Sequence, residues 1–75
     1  MTLNNAKLGN SYIIDTLNLD QAVMRRLEAL GLTKGTNIKV LNRSKSGSVI
    51  LMVRGSRLAL GNRIVEAIST KECTF

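Results

Sequence analysis

Five stretches of the chain are predicted to be β-strands, on the basis of richness in β-forming residues, alternation of apolar with polar residues, or a short unbroken apolar run. The predicted strands are residues 11–17, 37–43, 49–53, 57–60 and 65–70. In the second strand Ile38 and Val40 share one face, although Leu41 adds an apolar residue to the opposite, polar face. The third strand is apolar on both faces, as expected of a central or covered strand.

A helical spacing of apolar residues replaces the strand pattern over residues 19–30. The apolar stripe consists of Val23, Leu27 and Leu30. Asn18 is the predicted N-cap, with Gln21 three residues later as in a capping box. Gly31 is expected to end the helix, because glycine adopts the left-handed conformation there without steric cost.

Glycine-containing turns separate these elements, at residues 33–35, 44–48, 55–56 and 61–62, the last with room for a short helix. Residues 1–9 are predicted to be a loose lead-in, with Leu3 and Leu8 as candidate packing residues, and residues 71–75 a frayed tail. Tight turns between five short strands predict a mainly β fold, a closed or nearly closed antiparallel barrel with one helix.

A chain of 75 residues is expected to form a single small domain. Only Tyr12 and Phe75 are aromatic, so the core is expected to be aliphatic. Cys73 is the single cysteine, so no internal disulfide forms and a reducing compartment is expected. The chain has neither an apolar run long enough to cross a bilayer nor the apolar centre of a signal peptide at its start. We therefore expect a cytoplasmic protein that does not insert into membranes.

The residue types needed for metal binding or catalysis are scarce. Histidine is absent, and one thiol makes no metal centre and has no neighbour to activate it as a nucleophile. The carboxylates are scattered, which leaves open a weak surface cation site at Asp15 or Glu66. The glycines fit neither the phosphate-binding motif Gly-x-x-x-x-Gly-Lys-Ser/Thr nor the dinucleotide-binding motif Gly-x-Gly-x-x-Gly. No catalytic residue, no metal ligand set and no cofactor are predicted.

A net charge of +6 favours nucleic acid, an acidic protein surface or an anionic membrane face as the partner. A solubilising charge without a dedicated partner is the competing interpretation. A nucleic-acid-binding barrel is the alternative to a module that binds a protein. Two aromatic residues are few for stacking on single strands, which counts against this alternative. Met24 and Leu27, beside two arginines, predict a basic-rimmed apolar surface for a protein partner. Core packing is the competing interpretation for both, and the stronger one for Leu27. Ile50 and Met52 are expected to lie under the helix, or alternatively to face a partner.

Four motifs in this order resemble the FeoA family of ferrous iron uptake proteins over about residues 8–70. They are Arg-Leu-x-x-Leu-Gly-Leu-x-x-Gly at 26–35, Ile-x-Val-Leu at 38–41, Val-Arg-Gly-x-x-Leu-Ala-Leu-Gly at 53–61 and Ile-Val-x-x-Ile at 64–68. The resemblance implies an SH3-like barrel with a helix inserted after the first strand. It also implies a non-enzymatic partner of FeoB, the membrane ferrous iron transporter with a cytoplasmic GTP-binding domain.

The resemblance and the charge pattern together suggest a docking region at the corner where the helix meets its turn. The predicted partner-binding residues are Met24, Arg25, Arg26, Leu27, Leu30, Arg54 and Arg57. Related domains occur at the C-terminus of iron-dependent regulators of the DtxR type, which keeps a metal-sensing domain as a further alternative. Weak self-association is a separate hypothesis, through a strand edge at residues 49–53 or through the tail near Phe75.

Overall fold

The computed structural model describes residues 2–72, which form five strands, two α-helices and one short 3₁₀ helix. In chain order these are the 3₁₀ helix Leu3–Asn5, β1 Ser11–Leu17, α1 Gln21–Ala29, β2 Asn37–Arg43, β3 Val49–Val53, β4 Ser56–Leu60, α2 Asn62–Glu66 and β5 Ile68–Glu72. The predicted bounds of the first three strands are confirmed residue for residue, because their apolar spacing and flanking turns are unambiguous.

The strands form one antiparallel sheet in the order β4-β3-β2-β1-β5. The mainly β architecture, with a helix inserted after the first strand, is therefore confirmed. The two edge strands, β4 and β5, are consecutive in the chain, and α2 connects them. The suggestion that residues 49–53 supply a free edge is wrong, because β3 lies between β2 and β4 and is paired on both sides.

The core lies on one face of this sheet, and both helices contribute to it. Leu27 of α1 and Val65 of α2 belong to the same buried cluster as the inward-facing residues of β3, which are Val49, Leu51 and Val53. Tyr12 is the one aromatic residue in this cluster; its side chain is 2% exposed and its hydroxyl accepts a hydrogen bond from the Lys7 N–H at 2.8 Å. The ring is thus buried without an unsatisfied hydroxyl.

The lead-in before β1 is ordered by contacts that the local pattern did not predict. Leu3 is fully buried, and Thr2 pairs with Ser69 of β5 as an isolated antiparallel bridge. Arg43 donates a hydrogen bond to the Ala6 carbonyl. Residues 2–9 are therefore not a loose segment: Leu3 is a packing residue, whereas Leu8 is 54% exposed.

The N-cap of α1 is Asp20 and not Asn18. The Asp20 carboxylate accepts a hydrogen bond from the Val23 N–H at 3.0 Å. The Asn18 N–H instead donates to the Ala67 carbonyl at 2.9 Å, so Asn18 is bonded to the segment just before β5 and the helix begins at Gln21. Both residues are good N-cap types, and this long-range bond decides between them.

The last strand begins later than predicted. Val65 lies in α2, and β5 runs from Ile68 to Glu72, so Lys71 and Glu72 pair with β1 instead of fraying. The reversal before β4 is also shifted by one residue, because Ser56 already pairs with Val53. The rest of the predicted tail, including Cys73 and Phe75, lies outside the described residues.

Candidate functional site

Leu30 stands at the corner where α1 ends. It is the C-cap, and its N–H donates to the Arg26 carbonyl at 3.3 Å and to the Leu27 carbonyl at 3.1 Å. Gly31 follows with φ +90°, the left-handed conformation that stops the helix. The Leu30 side chain is 53% exposed, which makes it one of three large apolar residues that the surface of residues 2–72 exposes by more than a third.

Arg54 comes from the turn between β3 and β4, yet its side chain crosses the end of α1. Its Nε donates to the Gly31 carbonyl at 3.3 Å. A Cβ atom added at Gly31 would lie 2.7 Å from the Arg54 Cδ, so the glycine makes room for this side chain. A cation here is also favoured by the partial negative charge at a helix C-terminus. The fold therefore brings Leu30 and Arg54 together although they are distant in the sequence.

The predicted residues on α1 divide into an exposed group and a buried one. Arg25 and Arg26 are exposed and Met24 is half-buried, whereas Leu27 is 4% exposed and belongs to the core. Leu27 thus fixes α1 to the sheet and offers almost no surface to a partner. The surface called the α1 corner below consists of Met24, Arg25, Arg26, Leu30 and Arg54.

Arg57 lies on a different surface from the α1 corner. In β4 it is paired with Met52 of β3, and Met52 is paired on its other side with Lys39 of β2. Two residues before Met52 in β3, Ile50 is paired with Ala59 and is 38% exposed. Arg57 therefore belongs with these residues to the sheet face that is turned away from the core.

The expectation that Ile50 and Met52 lie under the helix is wrong. Their neighbours Val49, Leu51 and Val53 point to the core, which is the side on which both helices bury their apolar residues. Alternation along β3 then places Ile50 and Met52 on the outer face. The sequence signal for this surface is the apolar character of both faces of β3, and the second face is not covered by a helix.

The described residues, 2–72, contain no cluster of three or more His, Cys, Asp or Glu side chains arranged to hold a metal ion. Asp15, one of the two carboxylates considered for a weak cation site, already lies 3.5 Å from the Lys71 Nζ. No helix within this part of the chain combines the length and the apolar character needed to cross a bilayer. The surfaces described above offer apolar and cationic contacts.

Comparison with known proteins assigns this geometry to a family. A sequence model described as the FeoA domain matches residues 1–72. A candidate Fe(2+) transport protein A of Methanocaldococcus jannaschii is 29% identical over 70 residues, which cover 93% of this chain and 84% of that protein.

Solved structures show the same fold. A FeoA protein from Chlorobium tepidum superposes with a TM-score of 0.90 at 28% identity, covering 99% of this chain and 71% of that chain. A crystal structure of an iron uptake regulatory protein (FeoA) gives a TM-score of 0.84 at 25% identity, covering 97% and 96%. The manganese-activated repressor ScaR in its apo form gives 0.85 at 27% identity, and there this chain matches 35% of the repressor.

Proposed function

This chain belongs to the FeoA family, and from that premise we propose that it is a non-enzymatic cytoplasmic accessory protein of ferrous iron uptake. In this proposal it binds the cytoplasmic GTP-binding domain of a FeoB-type membrane transporter through the α1 corner and regulates uptake by that contact. Ferrous iron is then the cargo of the transporter and not a resident cofactor of this chain.

The observation that carries the proposal is the exposed Leu30 at the end of α1, next to Gly31, whose carbonyl holds Arg54 by a hydrogen bond. A leucine that is 53% exposed, held at a helix end by two hydrogen bonds of its own N–H, is a preorganised apolar anchor. Burying its remaining surface in a partner contributes about 1 kcal/mol, which corresponds to roughly a fivefold gain in affinity. The rest of the corner would then form the rim around this anchor.

The arginines of the corner supply the electrostatic part of the interaction. Arg25 and Arg26 are exposed on α1, and Arg54 is held across the end of the helix by its bond to Gly31. Exposed cations near a docking surface favour encounter with an acidic partner and mainly increase the association rate. Because Arg54 is already held in place, less side-chain entropy is lost when a partner carboxylate contacts it.

The composition supports action by contact rather than by catalysis. The chain has no histidine to act as a base and one cysteine, Cys73. Regulation of a transporter by a bound accessory domain requires neither.

The apolar part of the proposal is tested with a pair of leucines of matched exposure. The soluble domain of the cognate transporter is immobilised, and the dissociation constants of Leu30→Ser and Leu8→Ser are measured. Leu30 is 53% exposed at the corner and Leu8 is 54% exposed in the loop before β1, so both changes remove a similar exposed area. We expect Leu30→Ser to weaken binding about fivefold or more and Leu8→Ser to leave it unchanged.

The electrostatic part is tested by charge reversal. Arg26→Glu is expected to slow association and to reduce its salt dependence, whereas Arg63→Glu, an identical change on the exposed surface of α2, serves as the control. Full binding by a folded Leu30→Ser protein, or equal losses for Arg26→Glu and Arg63→Glu, would remove the α1 corner from consideration.

A further inference from the structure

The outer face of strands β2, β3 and β4 forms a second surface with its own chemistry. We propose that it docks an acidic segment of a partner protein that carries an aliphatic side chain. The outer-face patch consists of the apolar residues Leu41, Ile50, Met52 and Ala59 with the cations Lys39 and Arg57. This inference does not depend on the role proposed for the α1 corner.

The apolar part of the patch contains a depression beside Ile50. Its neighbour across β4 is the small Ala59, and its neighbour across β2 is Asn42. The pairing register shifts between Val40 and Asn42, so Leu41 is an additional residue beside this row. The resulting open cavity of ≈ 270 Å³ is lined by Leu41, Asn42, Ile50 and Arg57. An aliphatic side chain entering it would contact apolar surface on two strands.

The cations of the patch stand on either side of Met52. Lys39 and Arg57 are its paired neighbours in β2 and β4, which places their backbones about 10 Å apart, two strand spacings. Within residues 2–72 the one ion pair joins Lys71 to Asp15, so neither cation of the patch has a carboxylate partner there. The patch is therefore a pair of unneutralised cations separated by an apolar residue.

The absence of carboxylates beside the patch extends to the whole segment that contains its three strands. Residues 29–65, which include β2, β3 and β4, contain no Asp or Glu. The seven cations of this stretch are Lys34, Lys39, Arg43, Lys45, Arg54, Arg57 and Arg63. These strands thus supply no intramolecular carboxylate for the patch, which leaves its cations available to the carboxylates of a partner.

An acidic extended segment fits the spacing of the patch. Side chains two residues apart on a strand point to the same face and lie about 7 Å apart. The row of Ile50 and the row of Met52 are separated by this same repeat. A segment with an acidic residue two positions from an aliphatic one can place the aliphatic side chain in the depression and the carboxylate near Arg57, as a charge-assisted hydrogen bond.

Two other occupants fit this surface less well. In a two-fold contact between copies of this chain, the same patch would face itself, and the cations of both copies would be brought together. Single-stranded nucleic acid is bound by stacking on aromatic residues. The patch has none, and Tyr12 is 2% exposed.

The test titrates a short synthetic peptide into the full-length, nitrogen-15-labelled chain and follows the backbone amide resonances. The probe has the sequence Glu-Ser-Leu-Ser-Glu with blocked ends. One control peptide has lysine in place of both glutamates, and another has serine in place of the leucine. We expect the probe peptide to cause saturable shifts of amide resonances on β3 and β4, around Ile50, Met52 and Arg57. The two control peptides should cause no such shifts.

Variants then assign the contacts. Arg57→Glu and Ile50→Ser are each expected to raise the dissociation constant about fivefold, whereas the matched reversal Arg63→Glu leaves it unchanged. Arg57, Ile50 and Arg63 are all exposed, and the dispersion of the amide spectrum verifies that each variant is folded.

Three results would overturn the proposal. One is the absence of saturable shifts on β3 and β4 up to about 5 mM peptide, the range of a weak short-peptide contact. Another is equal binding of the peptide that lacks leucine, which would reduce the site to nonspecific charge. The third is stronger binding of a short oligothymidylate at the same residues, which would identify the surface as one for nucleic acid.

Discussion

Replacing Gly31 with alanine is expected to destabilise the domain more than the same replacement at Gly35. The two glycines have nearly identical φ angles, +90° and +87°. They differ in their surroundings: a Cβ at Gly31 would lie 2.7 Å from the Arg54 Cδ, whereas a Cβ at Gly35 meets nothing within 4 Å. Gly35→Ala therefore measures the backbone cost alone, and Gly31→Ala adds the displacement of Arg54.

The magnitudes follow from these two parts. A residue with a Cβ in a left-handed conformation costs about 1–2 kcal/mol, which applies to both glycines. Arg54 is exposed and can rotate away from a new methyl group, so the additional cost is the loss of its 3.3 Å hydrogen bond to the Gly31 carbonyl. At a solvent-exposed position that bond contributes about 0.5 kcal/mol. We expect losses of about 1.5 kcal/mol for Gly35→Ala and about 2 kcal/mol for Gly31→Ala.

Urea unfolding of the two variants, each made also in an Arg54→Ala background, separates the terms. Without the Arg54 side chain the crowding disappears, so the difference between the two glycine variants should vanish while the common backbone cost remains. A difference that persists in the Arg54→Ala background would refute the assignment to Arg54. Equal stability of all glycine variants and the parent would refute the backbone argument.

Two further predictions concern α1 and are also measured by urea unfolding. Leu27→Ala should lower the free energy of unfolding by about 2–4 kcal/mol, because Leu27 is 4% exposed in the core. Leu30→Ala should lower it by less than about 1 kcal/mol. Similar losses for the two variants would contradict their assignment to core and surface. Asp20→Ala should cost about 1 kcal/mol by removing the N-cap bond, and Asn18→Ala less than about 0.5 kcal/mol, because its backbone bond survives; the reverse order would restore Asn18 as the cap.

Local patterns were sufficient for the elements whose residues specify one structure. The bounds of β2 follow from its alternation and the turn at each end, and Gly31 ends α1 in the conformation expected of it. Local patterns failed where two structures had similar propensities. Val65 and Ile68 satisfy both a strand of β-branched residues and a helical spacing. Both are buried in the core, but only Ile68 lies in β5, where it pairs with Leu17 of β1.

The predicted partner-binding residues show a different limit of sequence reasoning. Arg54 and Arg57 are three positions apart, so a linear pattern groups them. The chain reverses between them, which leaves Arg54 across the end of α1 and turns Arg57 to the outer face opposite Met52. Conversely, Arg54 and Gly31 are 23 residues apart and in contact. Neither relation is encoded in local periodicity, because both depend on how the β3–β4 hairpin is placed against α1.

The family motif and the two proposed binding surfaces consequently carry different information. Three glycines of the motif, Gly31, Gly35 and Gly55, have φ between +82° and +90°, and each is explained by the turn in which it lies. The motif therefore specifies the geometry of the corner, which a partner of quite different chemistry could also use. Selectivity for a partner has to come from the side chains that this geometry exposes. In this chain those are Leu30 with its arginines at one end of α1, and Ile50 with the unneutralised cations of the outer face.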